Sequence, residues 1–257
     1  MSPIMKMSLI DKIKFLLSIK GKTFNGKMNV CKSIFGYIIH KPYVSFFSTT
    51  VYIGNSLYYC RGGTNDLNHV LFHEEQFKHL FNTPNGVFVD IGAHIGKHSI
   101  YSAVNRATVI AIEPSDYNFQ ALKRNIQINE LSNIYPYNAA CWDKDEEIEM
   151  YHDSNGNNSV MDKISESCTK VSGVKLDTII NNLSLKKIDI IKIDVERAET
   201  KVLEGATETL KQFHPKIVFE AFTQEHLNEI MKILKTFGYS ITQISSCDYL
   251  AVRGELK

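Results

Sequence analysis

The feature that most constrains this chain is a short apolar run, Val87-Phe-Val-Asp-Ile91, that ends directly in the turn Asp90-Ile-Gly-Ala-His-Ile-Gly96. A strand that delivers two glycines into the start of a helix opens a βαβ unit, and the following chain repeats the alternation. Gly96 to Val104 reads as a helix, Thr108 to Ile112 as a strand and Ser115 to Asn129 as a helix. Ile134 to Cys141 and Ile148 to His152 supply strands, and Ile188-Asp-Ile-Ile-Lys-Ile193 is a buried-type strand leading into a helix from about Ala198 to Phe213. Lys216 to Phe222 begins another unit, followed by a helix from Gln224 to Phe237 and an antiparallel pair, Ser240 to Ile244 and Asp248 to Val252. The pattern predicts an α/β, Rossmann-like fold: a mostly parallel sheet, helices on both faces and an antiparallel C-terminal strand.

Upstream of Gly86 the pattern differs. Val51-Tyr-Ile-Gly-Asn-Ser-Leu-Tyr-Tyr-Cys60 has hairpin chemistry around Gly54-Asn55, and Val70, Leu71, Phe77, Leu80 and Phe81 mark a helix over 67–81. The breakers Pro84-Asn85-Gly86 place a boundary there. The expected organisation is a helix and hairpin extension over 1–84 and a Rossmann-like domain over 85–257. Asp153-Ser-Asn-Gly-Asn-Asn-Ser159 reads as a polar loop. Tyr43, Phe46, Phe47, Tyr58 and Tyr59 either line an apolar, sugar-stacking surface or belong to the core.

Charge and cysteine usage exclude several classes of partner. With 29 basic and 28 acidic residues, no global field draws the molecule to a polyanion, so nucleic acid is not an expected partner. The five cysteines are scattered, without a C-x-x-C pair, which fits reduced thiols in a cytoplasmic protein. Eight lysines face one acid, Asp11, between Met1 and Lys41, and Leu9, Ile10, Ile13, Leu16 and Leu17 fall on one helical face. Such a helix docks on the main domain or lies on an anionic membrane surface as a peripheral contact.

The turn itself carries the chemistry. Gly92 permits a sharp turn and close approach, Gly96 lets the helix pack near the strand, and Asp90 can accept a hydrogen bond from a cationic amine. The spacing D-x-G-x-x-x-G is not the G-x-G-x-x-G of a pyrophosphate site, so a cofactor bearing an amino acid fits better. Glu113, 23 residues after Asp90 and followed by Pro114, stands where an acid reaches ribose hydroxyls.

These residues resemble the FkbM-type S-adenosylmethionine-dependent methyltransferases. The resemblance rests on Val89-Asp-Ile-Gly-Ala-His-Ile-Gly96, on Ala111-Ile-Glu-Pro114 with Asn125, and on Lys192-Ile-Asp-Val-Glu-Arg-Ala-Glu199. It extends over about Tyr58 to Val252, with Arg61, Thr64 and Asp66 resembling the family's polar stretch before the Rossmann-like part. Arg197 stands where the family usually has glycine, and His94 where asparagine is frequent. The resemblance implies a class I methyltransferase fold and S-adenosylmethionine as cofactor, held by Asp90, Gly92, Ala93, His94, Gly96, Glu113, Pro114 and Ala140. It implies methylation of a hydroxyl on a small-molecule or glycan acceptor, such as a sugar or secondary metabolite. An in-line displacement needs the oxygen aligned and its proton removed. Asp194 is the first candidate for that base, with Glu196 and Glu220 behind it, although Asp194 could instead cap the helix that follows.

His69 and His73, and His94 and His98, repeat an i, i+4 spacing, but neither pair has the H-E-x-x-H arrangement and no metal site is assigned. Two other readings remain open at this level. One is a nicotinamide-dependent oxidoreductase, since any adenosine cofactor could use the turn and Glu113. The other is a catalytically silent protein that kept the cofactor fold, for which Arg197 is the argument.

Overall fold

The computed structural model describes residues 19–39, 41–152, 158–159 and 168–254. The predicted helix at Leu9 to Leu17, and with it the membrane contact assigned to it, lies outside the described residues.

Seven strands build the central sheet: β4 (Val87–Ile91), β5 (Thr108–Ile112), β6 (Ile134–Tyr137), β11 (Ile190–Ile193), β12 (Lys216–Glu220), β13 (Tyr239–Gln243) and β14 (Asp248–Arg253). Their order is β13-β14-β12-β11-β4-β5-β6, parallel throughout except for β14, which pairs antiparallel with β12 and β13. Every residue of β4 and β11 is buried, as expected of a parallel sheet covered on both faces. Alternation divides the strands between two apolar clusters. Phe88, Val109 and Ala111 face α3 (Lys97–Val104) and α4 (Asp116–Ile128), whereas Val89, Ile91, Ile110 and Ile112 face α5 (Leu176–Asn181), α6 (Glu199–Glu204), α7 (Thr207–Phe213) and α8 (Gln224–Thr236). Each wholly buried Ile, Leu or Phe contributes about 1.5–3 kcal/mol of transfer free energy. The predicted Rossmann-like architecture is therefore the one observed.

The residues before 85 pack on the first of these faces. β1 (Ile19–Gly21), β2 (Thr49–Ile53) and β3 (Ser56–Cys60) form an antiparallel sheet, with the hairpin turning at Gly54, whose φ is 58°. Val30, Val51, Tyr58 and Leu71 join the cluster that contains Phe88 and Ile100. Two asparagines one turn apart, Asn125 on α4 and Asn129 at its C-cap, grip the free edge of β3. Asn125 Oδ1 accepts from Tyr59 N–H at 2.7 Å, and Asn129 Oδ1 from Leu57 N–H at 2.8 Å. Asn125 Nδ2 also donates to the Ile95 carbonyl at 2.8 Å, which ties the extension to the glycine turn.

Several expectations need correction. The single helix over 67–81 is instead α2 (Asp66–Phe72) and a 3-10 turn (Lys78–Phe81): the backbone turns extended at His73, ψ 133°, and left-handed at Glu74, φ 51°, which is buried. The helix over 198–213 is broken between α6 and α7 at Gly205, where an added Cβ would lie 2.0 Å from the Trp142 carbonyl. The run 134–141 divides between β6 and β7 (Ala140–Cys141), the latter belonging to a second sheet with β8 (Glu146–His152), β9 (Asn158–Ser159) and β10 (Cys168–Val174). The polar loop read at 153–159 thus ends in strand at its last two residues, and 153–157 lie outside the described residues. Helix α1 (Phe24–Ile38), capped by Thr23 Oγ1 on Gly26 N–H, has no counterpart in the sequence reading. Of the five aromatics, Tyr58 is core and Phe46 and Phe47 are exposed.

Asn125 is wholly buried, so replacing it by leucine strands the Tyr59 amide and the Ile95 carbonyl. Asn125→Leu is expected to cost about 2–4 kcal/mol in urea unfolding, since each unpaired buried group costs about 1–3 kcal/mol. The exposed Gln120→Ala on the same helix should stay within about 0.5 kcal/mol of the native protein.

Candidate active site

The chain runs β4-β5-β6 in one direction across the sheet and then returns to β11-β12 on the other side of β4, so the order reverses between β4 and β11. Doubly wound sheets bind ligands outside the carboxyl ends of their strands at that reversal. Asp90, Glu113, Asp194 and Glu220 all fall at or beside strand ends there.

The turn after β4 is held by its own amides. Gly92 and Ala93 N–H donate to the Ile112 carbonyl at 2.9 and 3.0 Å, His94 N–H to Glu113 Oε2 at 2.8 Å, and Gly96 N–H to the Ala93 carbonyl at 2.8 Å. Gly92 has φ 81°, and a Cβ on it would lie 1.8 Å from the Asp194 carbonyl oxygen, so only glycine lets the turn pass against β11. His94 takes φ 51°, the left-handed region that asparagine tolerates well, which explains the residue frequent there in the resembling family. These four amides are spent within the protein and are not aimed outward as a pyrophosphate cradle requires.

Asp90 is 1% exposed; its Oδ2 accepts from Ser99 Oγ at 2.5 Å, while Oδ1 is buried without a hydrogen-bond partner. Burial pushes its carboxyl up to about 6, against the pull of Lys192. An unpartnered buried carboxylate oxygen is costly, and a donor supplied by a ligand amine would satisfy it. Glu113 accepts from His94 N–H, Ser115 N–H and Asn118 Nδ2, yet burial still pushes it up to about 7. Asn118 in turn receives Arg61 Nη2 at 2.9 Å, and Arg61 pairs with Asp66 at 2.7 Å, while Thr64 Oγ1 donates to the Arg61 carbonyl. The polar stretch before the Rossmann-like part is thus a brace for Glu113. Asn138 Nδ2 donates to the Glu113 and Pro114 carbonyls at 2.9 and 3.1 Å, and Ala140 follows two residues later, buried on β7.

On the other side of the reversal, Asp194 N–H donates to the Ile91 carbonyl and Asp194 Oδ2 receives Lys192 Nζ at 2.8 Å. Lys192 is buried; burial alone would lower its pKa, but Asp194, Glu74 and Asp90 hold it well above the ordinary value. Glu74 Oε2 lies 3.5 Å from Lys192 Nζ and 2.6 Å from His98 Nε2. Burial opposes ionisation of Glu74, but Lys192 and His98 keep its carboxyl well below the usual range. Glu220 is 8% exposed, and burial, reinforced by Asp194, pushes it up to about 10, so it holds its proton. Partial desolvation beside Asp194 and Glu199 moves Glu196 to about 7. Glu196 and Arg197 are exposed and adopt φ 51° and 80°, so the backbone at Arg197 keeps the conformation that glycine favours.

Glu74 escaped the sequence reading because its neighbours fit an amphipathic helix; the only signal was a pair of acids, Glu74-Glu75, inside an apolar pattern. Asn118 and Asn138 escaped because an asparagine next to a turn carries no distinctive pattern. Of the histidines singled out by spacing, His69 packs its ring against His73 and His94 at 4.8 and 4.5 Å, His98 is engaged by Glu74, and burial moves His94 and His98 to about 4. Among the described residues, the groups whose ligand atoms lie within 4.8 Å of one another are Glu74, Asp194 and Glu220, and Glu220, Cys247 and Asp248.

Residues 90–241 match the methyltransferase FkbM domain. Methyltransferase sdnD of Sordaria araneosa is 26% identical over 201 residues, spanning 64% of this chain and 78% of that protein. The AMB antimetabolite synthetase AmbE of Pseudomonas aeruginosa is 25% identical over 205 residues, which cover 62% of this chain and 10% of that protein. Among solved structures, the methyltransferase FkbM from Methylobacillus flagellatus KT aligns with a TM-score of 0.46 at 19% identity, covering 72% of this chain and 52% of that one. The matched domain takes up more than half of the chain and begins at the aspartate of the glycine turn: the chain belongs to the FkbM methyltransferase domain family.

Proposed function

We propose that the protein transfers a methyl group from S-adenosylmethionine to a hydroxyl of a small-molecule or glycan acceptor, with Asp194 as the base. The observation that carries this reading is Asp90 Oδ1, a buried carboxylate oxygen with no partner at the switch point of the sheet. Asp90 would receive the cofactor's amino group, and Glu113 its ribose hydroxyls, flanked by Gly92, Ala93, His94, Gly96, Pro114 and Ala140. When bound, S-adenosylmethionine supplies an electrophilic methyl group on a sulfonium centre. The engaged amides of the glycine turn argue against the nicotinamide alternative, which needs them for a pyrophosphate.

The chain's own contribution is alignment and proton removal. Lys192 pairs with Asp194 at 2.8 Å and fixes its orientation, and Asp194 takes the proton lost by the acceptor hydroxyl. Glu220, protonated up to about pH 10, serves as a hydrogen-bond donor and not as a base. Glu196, near 7, is a second proton acceptor on the exposed side. The free thiols, two of them buried, suit the reducing cytoplasm.

Calorimetry of the purified protein with S-adenosylmethionine and with NAD tests the cofactor. Binding of the first and not the second is expected, and tight NAD binding alone would sink the proposal. Transfer of a labelled methyl group to an acceptor then separates an enzyme from a silent scaffold.

A pH dependence follows from Asp90 near 6 and Glu113 near 7. Both carboxyls are raised, so the empty protein loses stability as pH rises from the ordinary carboxyl range toward 7. The ligand's ammonium and hydroxyls favour the ionised forms. Affinity for S-adenosylmethionine is therefore expected to strengthen between about pH 5.5 and 7.5, with protons released on binding at the lower end, read by calorimetry in buffers of different ionisation enthalpy. Asp194→Asn is expected to lower kcat by about 10²–10⁴ while leaving cofactor affinity within about 3-fold. Unchanged turnover would remove Asp194 from the reaction.

A further inference from the structure

The N-terminal extension carries a charge segregation that the cofactor site does not use. Between Asp11 and Asp66 there is no acidic residue, while Lys12, Lys14, Lys20, Lys22, Lys27, Lys32, Lys41 and Arg61 are all basic. The whole chain is only +1, so the rest of the molecule is net negative. Within this stretch, the described lysines Lys20, Lys22, Lys27, Lys32 and Lys41 are exposed.

Helix α1 turns the usual amphipathic arrangement outward as well as inward. Val30, Ser33 and Tyr37 point to the body of the protein, whereas Phe24, Met28, Cys31 and Phe35, with Ile39 at the cap, form an exposed stripe at i, i+4, i+7, i+11 and i+15. Phe24 is 78% exposed and Phe35 63%. The adjoining loop adds Val44, Phe46 at 82% and Phe47 at 71%. That loop is fastened to α1, since Asn29 Nδ2 donates to Ser45 Oγ at 2.9 Å and Tyr43 Oη donates to Asn29 Oδ1 at 3.1 Å. Lys32 Nζ sits 5.5 Å from the centre of the Tyr43 ring, on the same flank. The result is a ridge of exposed apolar side chains set among lysines, in a segment that has no acid between Asp11 and Asp66. Contiguous exposed apolar surface of this kind marks an interaction site.

We propose that α1 and the Val44–Phe47 loop form a docking surface for an anionic lipid bilayer. The charge decides between occupants. A second copy of this chain would bring lysines against lysines around the stripe, whereas an anionic headgroup layer complements the lysines and accepts the phenylalanines below them. No described helix is long and apolar enough to cross a membrane, so the contact is a surface one. The ridge also borders the active-site brace. Gly63 N–H donates to the Ser45 carbonyl at 2.8 Å, in the turn that follows Arg61, and Arg61 reaches Asn118 beside Glu113. Docking therefore brings the edge of the cofactor cleft to the bilayer, where an amphiphilic acceptor would be presented. That last step rests on the proposed function; the docking surface does not.

Co-sedimentation of the full chain with vesicles of phosphatidylcholine alone, and with phosphatidylglycerol added, tests it. Binding to the anionic vesicles, weak or absent on the neutral ones and lowered by salt, is expected. The combined variant Phe24→Ser, Phe35→Ser, Phe46→Ser and Phe47→Ser should lower the bound fraction at least about 10-fold, as transfer of each exposed aromatic side chain is lost. Its S-adenosylmethionine binding and thermal unfolding report whether the fold is kept. Lys20→Gln, Lys22→Gln, Lys27→Gln and Lys32→Gln form a second variant that should abolish the preference for anionic vesicles. A native chain that stays in the supernatant with anionic vesicles, or one whose binding is untouched by both variants, overturns the proposal. So does light scattering that shows a dimer dispersed by the phenylalanine substitutions.

Discussion

The buried ammonium of Lys192 organises the centre of this protein. Lys192 Nζ lies 2.8 Å from Asp194 and 3.5 Å from Glu74, and its residue pairs in register with Asp90 on the neighbouring strand. Those acids come from the strand end after β11, from the segment that follows α2 and from β4, so one cation joins the extension to both halves of the sheet. A buried charge is tolerated only while its partners remain, and removing one side of such a pair costs about 3–5 kcal/mol. The chain leaves α2 at His73 and turns left-handed at Glu74, whose buried carboxylate meets both His98 and Lys192.

The same constraint sets the division of labour among the acids. Beside Lys192 and His98, Glu74 is held well below the usual carboxyl range, whereas at Glu220 burial, reinforced by Asp194, wins and the carboxyl keeps its proton. Asp90 and Glu113 fall between, near 6 and 7; Glu113 has three donors within the protein, whereas Asp90 Oδ1 has none. Sites where environments push neighbouring carboxyl groups apart in this way are suited to binding a cation and moving a proton in one cleft.

Much of the fold was legible in the chain because alternating apolar strands and helices after Gly86 leave few arrangements open, and β4, β5, α3 and α4 lie within a few residues of where the pattern puts them. Legibility fell where tertiary contacts override local pattern. Gly205 breaks a helix because the Trp142 carbonyl approaches it, and α1 went unread because much of its apolar surface faces outward, not into the core. In the site, Asp90, Glu113 and Asp194 were visible as acids at strand ends. Glu74, Asn118 and Asn138 were not, since what makes them matter is a partner distant in sequence: Lys192 for Glu74, Arg61 for Asn118 and the Glu113 carbonyl for Asn138.

The central claim is that the cleft between β4 and β11 is shaped for a nucleoside that carries an amino acid. A crystal structure of the protein with S-adenosylhomocysteine tests it most directly. The account predicts the ligand's amino group on Asp90 Oδ1, its ribose hydroxyls on Glu113 and its sulfur facing Asp194. A ligand bound elsewhere, or one that leaves Asp90 Oδ1 still without a partner, would contradict it.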